Sequence, residues 1–81
     1  MKKKEEQLQE AFHKLVWLTA EMIDQGIISD TTISRISTGT LNFTEGKRTM
    51  FYQQLYELLE TEKTEAEILH KGIAIRDSLS Q

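Results

Sequence analysis

The chain has no cysteine, no proline, only four glycines, and no apolar run that approaches the length of a membrane span. Each absence excludes something. Without cysteine there is no disulfide framework, no thiolate metal site and no thiol nucleophile. That composition fits a reducing, cytoplasmic setting. The basic start, Met1 to Lys4, runs into Glu5, Glu6 and Gln7 rather than an apolar stretch, so it does not read as a secretory signal. Histidine is scarce as well, with two residues, and nothing orients either toward a serine, so no nucleophile–base pair is visible and catalysis is not expected. No internal repeat, linker or low-complexity tract divides the 81 residues, which suit one small domain. A core of that size is marginal alone, and a homodimer would support it.

What is present favours helix. Glu, Lys, Leu and Gln are abundant, and the expected class is all-α, a small domain of four helices. From residue 5 to 25 no turn residue appears before Asp24, and Leu8, Phe12, Leu15, Val16, Thr19, Met22 and Ile23 recur at helical spacing. One helix stopping at Gly26 is the preferred reading; a break near Trp17 would make five helices. Trp17 lies off that stripe and is a candidate contact with a second copy. A short helix is expected over Asp30–Ser37, capped by Ser29 or Asp30, with Ile33 and Ile36 as its anchors. Gly39 ends it and a loop follows to Phe43. Thr44 caps a third helix at residues 45–60 with Phe51, Leu55, Leu58 and Leu59 inward. Thr64 and Glu67 form a capping box for a last helix ending near Leu79. In it Ile68, Gly72, Ile75 and Leu79 recur at the four-three-four spacing of a helix-pair seam, assigned here to a dimer contact.

Charge is unevenly spread about a net −3. Residues 31–56 hold Arg35, Lys47 and Arg48 against Glu45, while residues 57–67 hold Glu57, Glu60, Glu62, Glu65 and Glu67 against Lys63. Two Glu-x-x-His pairs, Glu10 with His13 and Glu67 with His70, have the spacing of carboxylate-bridged di-metal bundles. Both fall off the apolar stripes, so no metal or cofactor is expected. Gly46-Lys47 lacks the upstream glycine, the following hydroxyl and the strand that a phosphate loop needs.

The most informative stretch is Thr31-Thr32-Ile33-Ser34-Arg35-Ile36-Ser37-Thr38-Gly39-Thr40-Leu41-Asn42. Its isoleucines share one face, and the rest is small and polar with one guanidinium. Thr-Ile-Ser-Arg-Ile, then Gly39 and Asn42, resembles the recognition helix and following turn of phage-repressor-type helix-turn-helix proteins, the Cro/CI or XRE family. The resemblance is confined to that helix and turn, inside a helix-turn-helix region of about residues 20–43. It implies a dimeric, sequence-specific regulator of a phage or mobile element, binding double-stranded DNA. Thr31 and Arg35 would face base edges, with Thr32 and Ser34 alongside and Asp30 able to accept from a cytosine amino group. Thr38, Thr40 and Asn42 would hold phosphates, helped by Lys47 and Arg48 near a helix start. The alternative is a protein-interaction module, an inhibitor, adaptor or DNA mimic, acting through Trp17 and the acidic residues 57–67.

Overall fold

A computed structural model describes residues 3–81; Met1 and Lys2, the start of the basic N-terminus, lie outside them. Four helices follow in order: α1 (Lys4–Asp24), α2 (Asp30–Ser37), α3 (Glu45–Thr61) and α4 (Glu65–Ser80), with a 3-10 turn at Thr40–Asn42 between α2 and α3. No strand occurs among the described residues, so the class is all-α as expected. No helix among them is long and apolar enough to cross a membrane.

The local signals explain the boundaries. α1 runs unbroken through Trp17, because nothing between Glu5 and Ile23 competes with the helix. It stops at Gly26, whose φ of 77° is left-handed; the Ile27 amide then donates back to the Met22 carbonyl and closes the end. The Ser29 side chain accepts from the Thr32 amide at 3.4 Å and starts α2. Gly39, at φ 84°, ends it. Thr44 accepts from the Lys47 amide at 3.2 Å and starts α3. The capping box expected at α4 does not form. The Thr64 side chain makes no capping hydrogen bond, and Glu67 lies one turn before Lys71, 3.9 Å from its ammonium.

α1 packs on α3, α3 on α4, and α4 on α2. The shared core is Leu15, Met22, Ile28, Ile36, Phe51, Leu55, Leu58, Leu59 and Ile68. Phe43 adds its ring edge-on to Phe51, with centroids 6.0 Å apart. Ile33 lies at the margin of this core, so of the two expected anchors only Ile36 is fully buried. α2 is thus fastened chiefly through Ile36, which rests on the bare backbone of Gly72 in α4.

That contact corrects one expectation. Ile68 and Gly72 are buried inside the chain, and Ile75 and Leu79 are half-buried against the same core. The four-three-four spacing does mark a helix-pair seam, but its partner is α2 of the same molecule. Periodicity identifies the buried face of a helix; it carries no information on what covers that face.

Candidate nucleic-acid interface

α2 is held at both ends by α4. The Glu65 carboxylate accepts from the Ser29 amide and from the Thr32 hydroxyl, both at 2.7 Å. At the far end the Arg76 guanidinium donates to the Arg35 carbonyl at 2.8 Å. An anion therefore sits at the positive end of the α2 dipole and a cation at its negative end. The hydrogen bond from Thr32, then that from the Ser29 amide, hold the Glu65 carboxyl below its usual range.

A depressed carboxylate pKa carries a defined sign. The stabilisation is complete above the unfolded-state pKa and is lost as pH falls through the lower folded-state value. Acid titration of the parent should therefore loosen α2, while Glu65→Gln should be less stable at neutral pH and lose part of the acid-limb dependence. Thermal melts of both proteins across the acid range check this. Parallel pH curves for the two would remove Glu65 from the account.

With α2 fixed, its faces follow from about 100° of rotation per residue. Thr32 and Ile36 form the buried arc. Ile33 and Ser37 lie on one flank, half-buried. Thr31, Ser34, Arg35 and Thr38 fill the outward arc and are exposed. The Thr38 hydroxyl donates back to the Ser34 carbonyl at 3.1 Å, leaving its lone pairs outward. Asp30, at the start of the helix, is exposed too.

Three expected contacts are used internally. The Thr32 hydroxyl is spent on Glu65 and is buried. The Thr40 hydroxyl is buried as well and donates to the Ser37 carbonyl at 2.8 Å, locking the turn after α2. The Arg48 Nη2 points at the Leu41 and Phe43 carbonyls, each at 3.4 Å, and its Nε is buried without a partner. Arg48 thus braces the 3-10 turn instead of standing free for a phosphate. Asn42 is exposed and Lys47 half-exposed in the first turn of α3. The outward set on this face reduces to Asp30, Thr31, Ser34, Arg35, Thr38, Asn42 and Lys47.

The acidic segment is less free than its sequence suggests. Glu65 is committed to α2, and Lys71 pairs with Glu62 and lies near Glu67. Glu62 holds the Lys71 ammonium above its usual range. Glu57 and Glu60 remain exposed on α3. The side chains of Glu10, His13, Glu67 and His70 are exposed, on the outer faces of α1 and α4.

Sequence reasoning missed Glu65 and Arg76 as supports of α2. They lie 36 and 41 residues from the groups they hold, and no local pattern links them. It also missed the groove between α1 and α2, of about 640 Å³, with Phe12 and Val16 on one wall and Ile33 and Leu41 on the other. Comparison with protein-family models, curated proteins and solved structures finds no significant match to this chain.

Proposed function

We propose that the chain is a sequence-specific DNA-binding regulator in which α2 reads base edges. The observation that supports this most is the outward arc of α2. Four exposed polar side chains, Thr31, Ser34, Arg35 and Thr38, stand on a short helix clamped at both ends and through its middle. A guanidinium on a fixed helix can give two parallel hydrogen bonds to a guanine edge, and hydroxyls serve any base. No described residue hydrogen-bonds or ion-pairs with the Arg35 guanidinium. The resemblance of this helix and turn to phage-repressor-type proteins points the same way, and suggests a transcription regulator. A protein-interaction or DNA-mimic role for the acidic segment has less support, since Glu62, Glu65 and Glu67 already face partners in the chain.

Reading by Arg35 and phosphate contact by Lys47 separate experimentally. Duplexes bound by the protein are first selected from a random pool. Arg35→Ala should then cost about 1–3 kcal/mol on the selected site and much less on random DNA. Lys47→Ala should weaken both alike and shrink the salt slope by about one unit. With Arg48 turned inward and Arg35 on a base edge, the slope should stay small, about −1 per chain. Titrations on both duplexes at several salt concentrations measure all of this. Curves that neither substitution moves would end the DNA reading.

A further inference from the structure

α1 carries two seams side by side. Ala11, Leu15, Leu18 and Met22 recur at four, three, four and are buried or half-buried. Phe12, Val16, Thr19 and Ile23 repeat the same spacing one residue later. This second seam lines the groove toward α2 and has no helix on it: Phe12 is 45% exposed and Val16 47%. Leu41, on the opposite wall, is 88% exposed. A helix with two adjacent heptad seams is built to pack on two helices, and α3 supplies one.

The charge beside the groove indicates what the second is. Ala20 lines the groove and also a neighbouring hollow of about 350 Å³, formed with Trp17, Glu21 and Asp24. The side chain common to both is one methyl group, so the ridge between them is low. Trp17 is 68% exposed. Glu21 and Asp24 follow it by four and seven residues, which sets both carboxylates on its side of the helix. Both are exposed, and neither has a hydrogen-bond or ion-pair partner among the described residues. No lysine or arginine lines the groove or the hollow. An indole face beside two unpaired carboxylates is a receptor for a cation on a long apolar stem. Arginine fits it best, because its guanidinium is flat, weakly hydrated and stacks on aromatic rings.

We propose that the groove is the docking site for an amphipathic helix of another protein. That helix lays its apolar face on Phe12, Val16 and Ile23 and sends an arginine over Ala20 to Trp17, Glu21 and Asp24. The open seam is about 17 Å long, three turns of a partner helix. Charge complementarity selects this occupant. A second copy would bring the same carboxylates and a net charge of −3 to the site, and DNA phosphates would be repelled there. A small apolar molecule would fill the groove and leave the Trp17 hollow unused. Docking takes the Ile33 and Ser37 flank of α2 and leaves Thr31, Arg35 and Thr38 clear, so it neither needs the DNA reading nor opposes it.

The test is a selection from a displayed library of random helical peptides about 14 residues long, enough to span the groove. Binders should share an apolar stripe spaced three and four apart, with an arginine or lysine at one edge of it. Trp17 is the only tryptophan, so a change in its emission reports arrival at the hollow. Changing the peptide's basic residue to glutamine should weaken binding about tenfold. Glu21→Gln/Asp24→Asn in the protein should cost the same, with little further loss when the two changes are combined. Selection on Glu21→Lys/Asp24→Lys should put an acidic residue at that edge instead. Val16→Glu should abolish binding, through a buried charge; if that variant does not fold, Leu41→Asp takes its place, since a side chain so exposed adds nothing to the core. Failure to enrich any binder overturns the inference. So do binders with no basic preference, binders that leave Trp17 emission unmoved, and binders that survive the groove substitution in a folded variant. A scrambled peptide of equal charge that binds as well would show attraction by charge alone and overturn it too. Sedimentation of a dimer that excludes the selected peptides would assign the groove to a second copy, with the same result.

Discussion

Ile36→Ala should destabilise the fold by about 2–5 kcal/mol, the range for truncating a fully buried isoleucine. Ile36 has no exposed surface and is the largest side chain that α2 contributes to the core. α2 has eight residues, too few to persist without tertiary support. Loss of its central contact leaves Thr32–Glu65 and Arg76–Arg35 to hold the ends, and both of those lie toward the surface. For a domain of this size each kcal/mol lowers the melting temperature by roughly 4–8 °C. Ile33→Ala is the internal control. Ile33 lies on the groove flank and is half-buried, so its truncation should cost roughly 1 kcal/mol. Thermal and urea unfolding of both variants measures the difference. Equal costs at the two positions would mean that the helix is rotated from the orientation described.

Most features whose cause is local were legible in the sequence, the Thr64–Glu67 capping box excepted. The long α1, the Ser29 and Thr44 caps and the left-handed Gly26 and Gly39 all follow from residues within a turn or two of the effect. So did the polar outward arc of α2. Features whose cause is a contact made only on folding were not legible, whether the partner is distant, as for Thr32, or a few residues away, as for Thr40 and Arg48. Thr32 and Thr40 look like outward hydroxyls, because small polar residues are commonly exposed. Thr32 is buried because Glu65 comes from α4 to accept its hydrogen bond, which removes the cost of an unsatisfied hydroxyl. Thr40 is buried because the turn after Gly39 brings the Ser37 carbonyl within its reach. Arg48 reads as a free cation until the 3-10 turn folds its carbonyls toward it.

The heptad seams are the sharper case. Both α1 and α4 have four-three-four repeats, and the spacing alone makes them equivalent. The seam at Ile68 and Gly72 turns out to be internal, whereas the one at Phe12 and Val16 is left open. Only the packing order, α1 on α3 and α2 on α4, separates them. The hydrophobic pattern reports how much apolar surface must be covered. Topology decides which part of it the chain covers by itself.

Gly72→Leu should be the counterpart of Ile36→Ala, acting on folding rather than on association. A Cβ built on Gly72 would lie 2.8 Å from the Ile36 Cδ1 and 3.0 Å from both Cγ1 and Cγ2. A flexible Cδ1 could turn aside, but Cγ1 and Cγ2 both branch from Cβ, so no single rotation clears them together. Gly72→Ala should therefore fail to show the gain of about 1 kcal/mol that alanine brings inside a helix. Leucine adds three more carbons at the same point, and overpacking of a filled core typically costs about 1–3 kcal/mol, occasionally more. The α2–α4 contact would have to open, which strains Glu65–Thr32 and Arg76–Arg35 together. The coupled test is the double variant Ile36→Ala/Gly72→Leu, in which the added side chain enters the space that the isoleucine vacates. Its loss should be smaller than the two single losses combined, with a coupling of about 0.5–3 kcal/mol. Urea unfolding of the four proteins in the cycle gives that coupling directly. Strict additivity would mean that Ile36 and Gly72 do not share one contact, and that α2 is held to α4 by its ends alone.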